Sequence, residues 1–347
     1  MTAKLLRVLI LCSIFTALSC SVQKMAMKSV VSYTKDDAIP YLMTQSDVNS
    51  AAAMGEAFVP LIASMTRLKI DNDEVIVASA MASGMSAEAL AREAELRRIR
   101  AIRENNPSQA QDALIAEKQS HALAARRFFT AYTSALSAYG DLAETCPKFK
   151  EENSEMLALL GLASGALAIL HDFNAEKSVG ISLDVPVKIE KAARCFDNAK
   201  WWGLPTALRA SIWLSIPGSG SENEEALASM KEAAAIGDAA GVTLARALWA
   251  QMAKSVGNTD NMCEALQGMP TSSANPHDYA LLSAYAQQVA QHQADVLWTQ
   301  KEGHRAPFGT MSCPQESENP VFNDEFDDLL EGLGAPDVLS TETLAPD

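Results

Sequence analysis

Hydrophobic side chains along this chain recur mostly at intervals of three and four residues, which is the spacing of one face of an α-helix. The first such helix follows a cap at Ser46 or Asp47. Its predicted apolar face comprises Ala51, Met54, Phe58, Leu61, Ile62 and Met65. A second helix follows "DND" at 71–73; it begins apolar on every side, which predicts burial, and ends charged. A long helix is predicted from about Asp112 to Glu144, and a final one from about Asp278 to Glu302.

Two segments have the spacing of the second helix in a tetratricopeptide-type repeat, where a small residue, an aromatic residue and a terminating proline recur at fixed offsets. The segment "ALSAYGDLAETCP" supplies Ala135, Tyr139, Leu142 and Pro147. The segment "AARCFDNAKWWGLP" matches the pattern less well, with Ala192, Phe196 and Ala199 at the same spacing. The predicted fold class is therefore all-α, with a degenerate tetratricopeptide-like helical-repeat array, resembling an α-solenoid, over residues 46–303.

The N-terminus has the pattern of an export signal over residues 1–19, because Lys4 and Arg7 precede a short apolar run at 8–15. Two forms of cleavage remain open at "ALSC". Ordinary signal peptidase would leave a soluble protein, whereas the resemblance of these letters to a lipobox predicts acylation of Cys20. Leu18 lies one position closer to the cysteine than the usual lipobox leucine, but acylation explains the cysteine better.

Residues 20–45 are then expected to tether the lipid to the body, with Lys24 and Lys28 near anionic headgroups. Because Ser21 is not the aspartate that commonly retains lipoproteins at the inner membrane, an outer-membrane anchor facing the periplasm is preferred.

The net charge of -15 argues against nucleic acid as a partner, since that binding needs clustered Lys and Arg. Much of the acidity lies in residues 304–347, which contain ten acidic residues against Arg305 alone. This segment is predicted to be a disordered tail. An amphipathic docking motif within it is the alternative to an inert tail, with Phe322, Phe326, Leu329 and Leu330 near one face.

The cysteines Cys146, Cys195, Cys263 and Cys313 have no C-x-x-C spacing, so the sequence indicates neither a zinc site nor a redox site. The first three are expected to be small core residues, and Cys313 a free cysteine in the tail; a disulfide framework is the alternative.

Motifs of known chemistry are absent from the sequence: it contains no phosphate-binding or dinucleotide glycine loop, no H-E-x-x-H and no G-x-S-x-G. "GSGS" at 218–221 is interpreted as a turn, and "GLASGA" at 161–166 as small residues that let helices pack closely. His171 at a helix end is interpreted as a structural residue rather than a catalytic base. No catalytic residue, metal or cofactor is predicted, although a single buried carboxylate would leave no motif.

An aromatic cluster in "NAKWWGLPTALRASIWLSIPG" is the strongest local candidate for a binding site. A ligand cavity with one polar anchor is predicted from Trp201, Trp202, Arg209 and Trp213, together with Trp249 on a later helix. The alternative is that these aromatics fill gaps between helices.

The order of segments resembles the T component associated with tripartite ATP-independent periplasmic (TRAP) transporters, from about Lys24 to Phe308. "TQSDVNSAAAMGEAFVPLIASMTRLKIDNDEVIVASAMASG" is similar to the opening helix pair of that family, and "AARRFFTAYTSALSAYGDLAETCPKF" to the next pair. "MLALLGLASGALAI", "LDVPVKIEKAARCFDNA", "GSENEEALASMKEAAAIG" and "LLSAYAQQVAQHQADVLW" follow in the same order.

The resemblance implies a periplasmic, lipid-anchored helical protein, built on degenerate tetratricopeptide-like repeats, that self-associates and binds the solute-binding subunit of a TRAP transporter; the absent catalytic motifs predict that it is not an enzyme. It also implies a cleft for a hydrophobic or organic-acid ligand. The rival hypothesis is a general scaffold lipoprotein in envelope assembly with no small-molecule site, and a helical cell-wall lyase is a more distant one.

Overall fold

The computed structural model describes residues 22–216, 223–269, 278–307 and 309–314. Within these ranges the chain forms helices and no strands, so the prediction of an all-α protein is confirmed. The helices are α1 (22–33), α2 (Ile39–Met43), α3 (Val48–Ser64), α4 (Asp73–Arg103), α5 (Pro107–Tyr139), α6 (Glu152–Asn174), α7 (Val185–Ala193), α8 (Leu204–Ser215), α9 (Asn223–Ala240), α10 (Leu244–Ser255), α11 (Thr259–Gln267) and α12 (Ala280–Glu302). The predicted signal sequence, Cys20 and the "GSGS" turn lie outside the described residues.

Local chemistry explains where the helices begin and end. Of the two predicted caps of α3, Ser46 and Asp47, the structure uses Asp47, whose carboxylate accepts the Ser50 backbone N–H at 2.9 Å. Helix α5 begins and ends earlier than the periodicity predicts. Asn106 caps it with Pro107 in the first turn, and Gly140, with a φ of 82°, ends it.

Consecutive helices pack against one another from α3 to α11, and the last helix, α12, packs on α10 and returns to the long helix α4 near the start of the chain. Two contacts fix the register of this return: Tyr285 of α12 meets Glu88 of α4, and His292 meets Glu95. The two pairs are separated by the same sequence offset, so α4 and α12 run in the same direction. The Arg103 guanidinium donates to the Gln300 carbonyl at 2.9 Å, and these two residues are separated by the same sequence offset.

The apolar start of α4 is buried, as the sequence predicts, with Val75, Val77 and Ala80 at most 1% exposed. One hydrophobic core extends through the helices from Ile39 to Ala306. The core therefore reaches a few residues beyond both ends of the predicted 46–303 domain.

Residues 22–43, expected to form a tether, are helical in the structure, with a π-helical turn at Thr34–Ala38 between α1 and α2. Met27 and Val31 pack against the core from one side of α1. The Lys35 ammonium lies 2.7 Å from Glu74 and 3.0 Å from Glu151, which ties the π-helical turn to the body.

The expectation of unpaired cysteines is wrong for the four that the structure describes. Cys146 bonds to Cys195, and Cys263 bonds to Cys313, with Cα–Cα distances of 5.3 and 5.6 Å. The sequence could not show these pairs because their members lie 49 and 50 residues apart and meet only when the helices pack.

The beginning of the predicted tail lies against the body rather than apart from it. Arg305 forms an ion pair with Glu93 at 2.5 Å, and the Trp298 indole donates to the Ser312 carbonyl at 2.9 Å. Cys313 is fixed to α11 through Cys263. The remaining tail from residue 315, with its candidate docking motif, lies outside the described residues.

By length and apolar composition, two described stretches are long enough to cross a bilayer, Val48–Leu68 and Glu152–Asn174. In the second, 78% of the apolar window is buried within the fold, as in the central helix of a packed core. Such helices occur in the cores of proteins that do not enter membranes, so neither stretch establishes a membrane span.

Candidate functional site

A cavity of about 570 Å³ lies between helices α6, α8, α10 and α12. Its volume falls within the range of sites for drug-sized molecules. Its walls are almost entirely apolar and contain no charged side chain; they comprise Met81, Leu160, Ala163, Ala166, Leu167, Ile169, Leu170, Phe173, Leu183, Pro186, Leu204, Leu208, Ser211, Ile212, Leu214, Ser215, Ile216, Leu244, Ala247, Leu248, Gln251, Met252, Ser255, Val256, Tyr285 and Val289. Phe173 and Leu183 are 48% and 62% exposed, which places them at the opening to solvent.

Helix α6 makes room for the cavity because small residues occupy two of its faces. Gly161 and Gly165 face α5, where an added Cβ would collide with Ala135 and Tyr132. The interpretation of "GLASGA" as a close-packing segment is therefore confirmed. Ala163 and Ala166 line the cavity one turn apart and leave its wall shallow.

The polar groups that face the cavity are few and uncharged: Ser211, Ser215, Gln251, Ser255 and Tyr285. The three serine hydroxyls donate to carbonyls of their own helices, at 2.7–2.8 Å. Their oxygens retain lone pairs that could accept a hydrogen bond from a ligand. The cavity can thus accommodate an apolar body with one or two neutral polar groups.

Tyr285 connects the cavity wall to a buried ion pair. Its hydroxyl donates to the Glu88 carboxylate at 2.6 Å, and the other Glu88 oxygen lies 2.7 Å from Arg92 Nη2. Glu88 is only 2% exposed. Burial alone raises the pKa of Glu88, but the Arg92 charge, with His171 and Tyr285, outweighs it and holds the pKa well below its ordinary value of 4.5. Burial and the neighbouring Glu88 charge raise the pKa of Tyr285 well above 10, so the phenol stays protonated and donates.

Two histidines extend this cluster towards α5. His121 Nδ1 lies 2.8 Å from His171 Nδ1, and His171 Nε2 lies 3.5 Å from Glu88. A hydrogen bond between two imidazole nitrogens requires one donor and one acceptor, so the pair shares a single proton at this contact. Burial, and then the proximity of His171, lowers the pKa of His121 from 6.5 to about 3. His121 is therefore neutral at pH 7.

A second buried group lies two turns further along α4. Glu95 accepts from His292 of α12 at 2.6 Å and from Lys254 of α10 at 3.1 Å, and Arg98 pairs with Glu117 of α5 at 2.6 Å. Burial tends to raise the pKa of Glu95, but Lys254 and His292 reverse that effect and hold it well below 4.5. The charged stripe Glu88, Arg92, Glu95 and Arg98 thus connects α4 to the helices around it. Within the described part of the chain, no group of three His, Cys, Asp or Glu side chains is placed to hold a metal ion.

The structure places the five sequence-predicted site residues outside the cavity walls. Trp201 is fully buried and donates to Glu155 at 2.8 Å, while Trp202 packs against Tyr279. The Arg209 guanidinium pairs with Glu190 at 3.1 Å and lies 5.0 Å from the Trp213 ring centre. The contact between Arg209 and Glu190 is on the α7 side of α8.

Trp249 is likewise buried and donates to Asn261 of α11 at 3.2 Å. The cavity lies against the face of α8 opposite Arg209 and Trp213. Its lining residues on this helix recur at three- and four-residue steps from Leu204 to Ser215. That apolar spacing was visible in the sequence, as was the charged end of α4. The sequence did not show which distant helices contact the apolar face of α8 and the charged residues of α4.

Comparison of the chain with protein-family models, with curated proteins and with solved structures finds no match.

Replacing Glu88 by Ala should lower the free energy of unfolding by about 3–5 kcal/mol, because it leaves Arg92 buried without its counter-ion. The matched control is Glu93→Ala on the same helix. Its ion pair with Arg305 is largely exposed, with side chains 53% and 43% accessible, so its loss should cost less than about 1 kcal/mol. Urea denaturation of the two variants measures the difference. Equal losses would contradict a structural role for the buried pair.

Acidification should destabilise the fold below pH 6.5, because the unfolded chain protonates His121 while the folded chain, with a pKa of about 3, does not. This residue alone should lower the free energy of unfolding by about 2 kcal/mol between pH 7 and pH 4.5. His292, whose pKa is also lowered by burial, acts in the same direction. His121→Asn should flatten the stability profile in this window, whereas His304→Asn, at an exposed position, should leave it unchanged. Denaturation across this pH range is the measurement, and a wild-type slope in His121→Asn would contradict the assignment.

Proposed function

We propose that this chain is a periplasmic, lipid-anchored binding protein that serves as an accessory component of a TRAP-type transporter. In this proposal it binds a hydrophobic or amphipathic ligand in the cavity and associates with the solute-binding subunit of the transporter. The helices are taken as a degenerate tetratricopeptide-like array, and the protein as non-enzymatic.

The observation that carries the proposal is the cavity of about 570 Å³ with uncharged walls. A water-filled apolar cavity of this size is unfavourable unless an apolar molecule replaces the water. The ligand is therefore expected to have an extended or bulky apolar part. An organic acid would find no counter-ion in the walls, so its carboxylate would remain at the opening near Phe173 and Leu183.

The disulfides support the proposed location. The bonds Cys146–Cys195 and Cys263–Cys313 persist in oxidising compartments such as the bacterial periplasm and are rare in the cytosol. The N-terminal pattern of basic residues followed by an apolar run is consistent with export to that compartment. Acylation of Cys20 remains part of the proposal, since this residue lies outside the described chain.

The transporter role rests on the ordered resemblance of the segments to the T component of TRAP systems. The same resemblance supplies the expectation of a homo-oligomer and of a solute-binding protein as partner. Binding of an apolar ligand by an anchored protein beside a soluble solute carrier would place the ligand where the carrier can receive it.

Filling the cavity should weaken ligand binding while leaving the fold intact. Ala163→Trp and Ala166→Trp place indoles into the space between α6 and α10, so each should weaken binding of the apolar fluorescent probe N-phenyl-1-naphthylamine at least about tenfold. The matched control is Ala53→Trp, at an exposed position of α3. Thermal unfolding of each variant shows whether the fold survives.

A further variant separates the cavity from the site predicted by the sequence. Trp213→Ala alters the aromatic cluster outside the cavity and should leave probe binding within about twofold of wild type. Loss of binding in Trp213→Ala but not in Ala163→Trp would assign the ligand to the aromatic cluster instead.

The transporter partner is tested by purifying the protein gently from cell envelopes and identifying the proteins that accompany it. We expect a periplasmic solute-binding protein, and native mass spectrometry should show the complex together with an acyl mass on Cys20. Recovery of only envelope-assembly or peptidoglycan factors would contradict the transporter role and favour a scaffold.

A further inference from the structure

Helix α1 has two apolar faces, and the body covers only one of them. On the covered side Met27 and Val31 pack against the core, and Thr34 is buried at the start of the π-helical turn. A helix that served only to continue the fold would be polar on its other side. The opposite side of α1 is instead apolar.

This outer stripe is formed by Val22, Met25, Val30 and Tyr33, with Ala26 and Ser29 between them. The four large side chains are 60%, 67%, 41% and 63% exposed. At 100° per residue the six positions occupy an arc of about 140°, which makes one continuous stripe. Besides the phenol of Tyr33, the one hydroxyl within it is that of Ser29, which donates to the Met25 carbonyl at 3.2 Å and so adds little polar character to this surface.

The charge around the stripe differs from that of the whole chain. Residues 22–33 of α1 contain Lys24 and Lys28 and no acidic residue, although the chain carries a net charge of -15; Asp36 and Asp37 follow only in the π-helical turn, where Lys35 pairs with the body. Lys28 lies about 60° from the edge of the stripe on the exposed helix surface, and the half-buried Lys24 lies further round, towards the covered side. Their aliphatic stems can follow an apolar surface while their ammonium groups reach a negatively charged layer.

The stripe also begins where the chain arrives from its N-terminal segment. Val22 is its first residue, two positions after Cys20 and seven after the apolar run that ends at Phe15. Any anchor in that segment would hold the outer face of α1 close to the membrane surface.

We propose that the outer stripe of α1 lies in the headgroup region of an anionic lipid bilayer and binds it directly, whether or not Cys20 is acylated. Met25 and Val22 enter the boundary of the acyl chains, and Tyr33 occupies the interface, where its ring is buried and its hydroxyl remains hydrated. Lys24 and Lys28 pair with lipid phosphates. The cavity opening is then held at a fixed distance from the bilayer by a helix that is packed onto the body.

A second copy of the chain fits the same stripe less well. A helix of 12 residues is about 18 Å long, which is short for the roughly 1,200 Å² that a stable interface buries. Two copies would also bring the lysines of one α1 towards those of the other. An anionic bilayer has apolar acyl chains that match the stripe and negatively charged headgroups that match the lysines.

The test uses the chain from residue 20 onward with Cys20→Ser, so that no acyl chain can contribute. It should float with vesicles of phosphatidylethanolamine and phosphatidylglycerol, but much less with vesicles of phosphatidylcholine alone. The double variant Met25→Ser with Tyr33→Ser should reduce binding to the anionic vesicles at least about tenfold. The matched control is Leu90→Ser with Ile115→Ser, two exposed apolar residues on other helices that are 56% and 46% accessible; it should bind like the parent.

Charge is tested separately. Lys24→Gln with Lys28→Gln should weaken binding to anionic vesicles and make the remaining binding less sensitive to salt. Failure of the parent chain to float with anionic vesicles would overturn the proposal. A shift in sedimentation coefficient caused by Met25→Ser with Tyr33→Ser, without vesicle binding, would assign the stripe to a protein contact. Neither result depends on ligand binding in the cavity or on a transporter partner.

Discussion

The buried carboxylate of Glu88 imposes the strictest condition on this fold. A charge that is 2% exposed is tolerated only where opposite charge and hydrogen-bond donors surround it. Arg92 comes from the same helix, but Tyr285 comes from a helix 197 residues away in sequence, and His171 from a third helix. The requirement to satisfy Glu88 therefore sets how α4, α6 and α12 meet. Because Glu95 and His292 repeat the same offset two turns later, a slip of α12 along α4 would deprive both carboxylates of their α12 donors.

The cavity follows from that arrangement. With α12 held in register on α4, helices α6, α8 and α10 enclose a space whose walls are set by side-chain size. Glycines on α6 draw it close to α5, while alanines on its other side leave the space open. Tyr285 belongs to both features: its hydroxyl satisfies Glu88 and its ring forms part of the wall. The charges that stabilise the helices are thus kept out of the cavity, which suits an apolar ligand.

Two disulfides and the ion pairs of Lys35 attach the outer segments of the described chain to the helical core. One disulfide joins the segment after α5 to the segment after α7, and the other joins α11 to the segment after α12. Such bonds restrict the unfolded chain most effectively when they close long loops. At the other end, Lys35 bridges to Glu74 and Glu151, so the helix that precedes it is attached to the body rather than free. An apolar outer stripe on such a helix has a defined orientation towards whatever it contacts.

The sequence by itself determined the helical class, a cap at Ser46 or Asp47, the burial of the first turns of α4 and the close packing at "GLASGA", because each depends on residues within one or two turns of one another. It also contained the charged stripe of α4 and the apolar face of α8. Only the tertiary structure decided that the charged stripe of α4 is buried with its residues paired, and that four cysteines form two disulfides. It also decided that the cavity lies on the opposite face of α8 from Arg209 and Trp213. Those outcomes depend on which helices meet and in what register. Helical periodicity identifies the face that a helix buries, but not the helix that covers it.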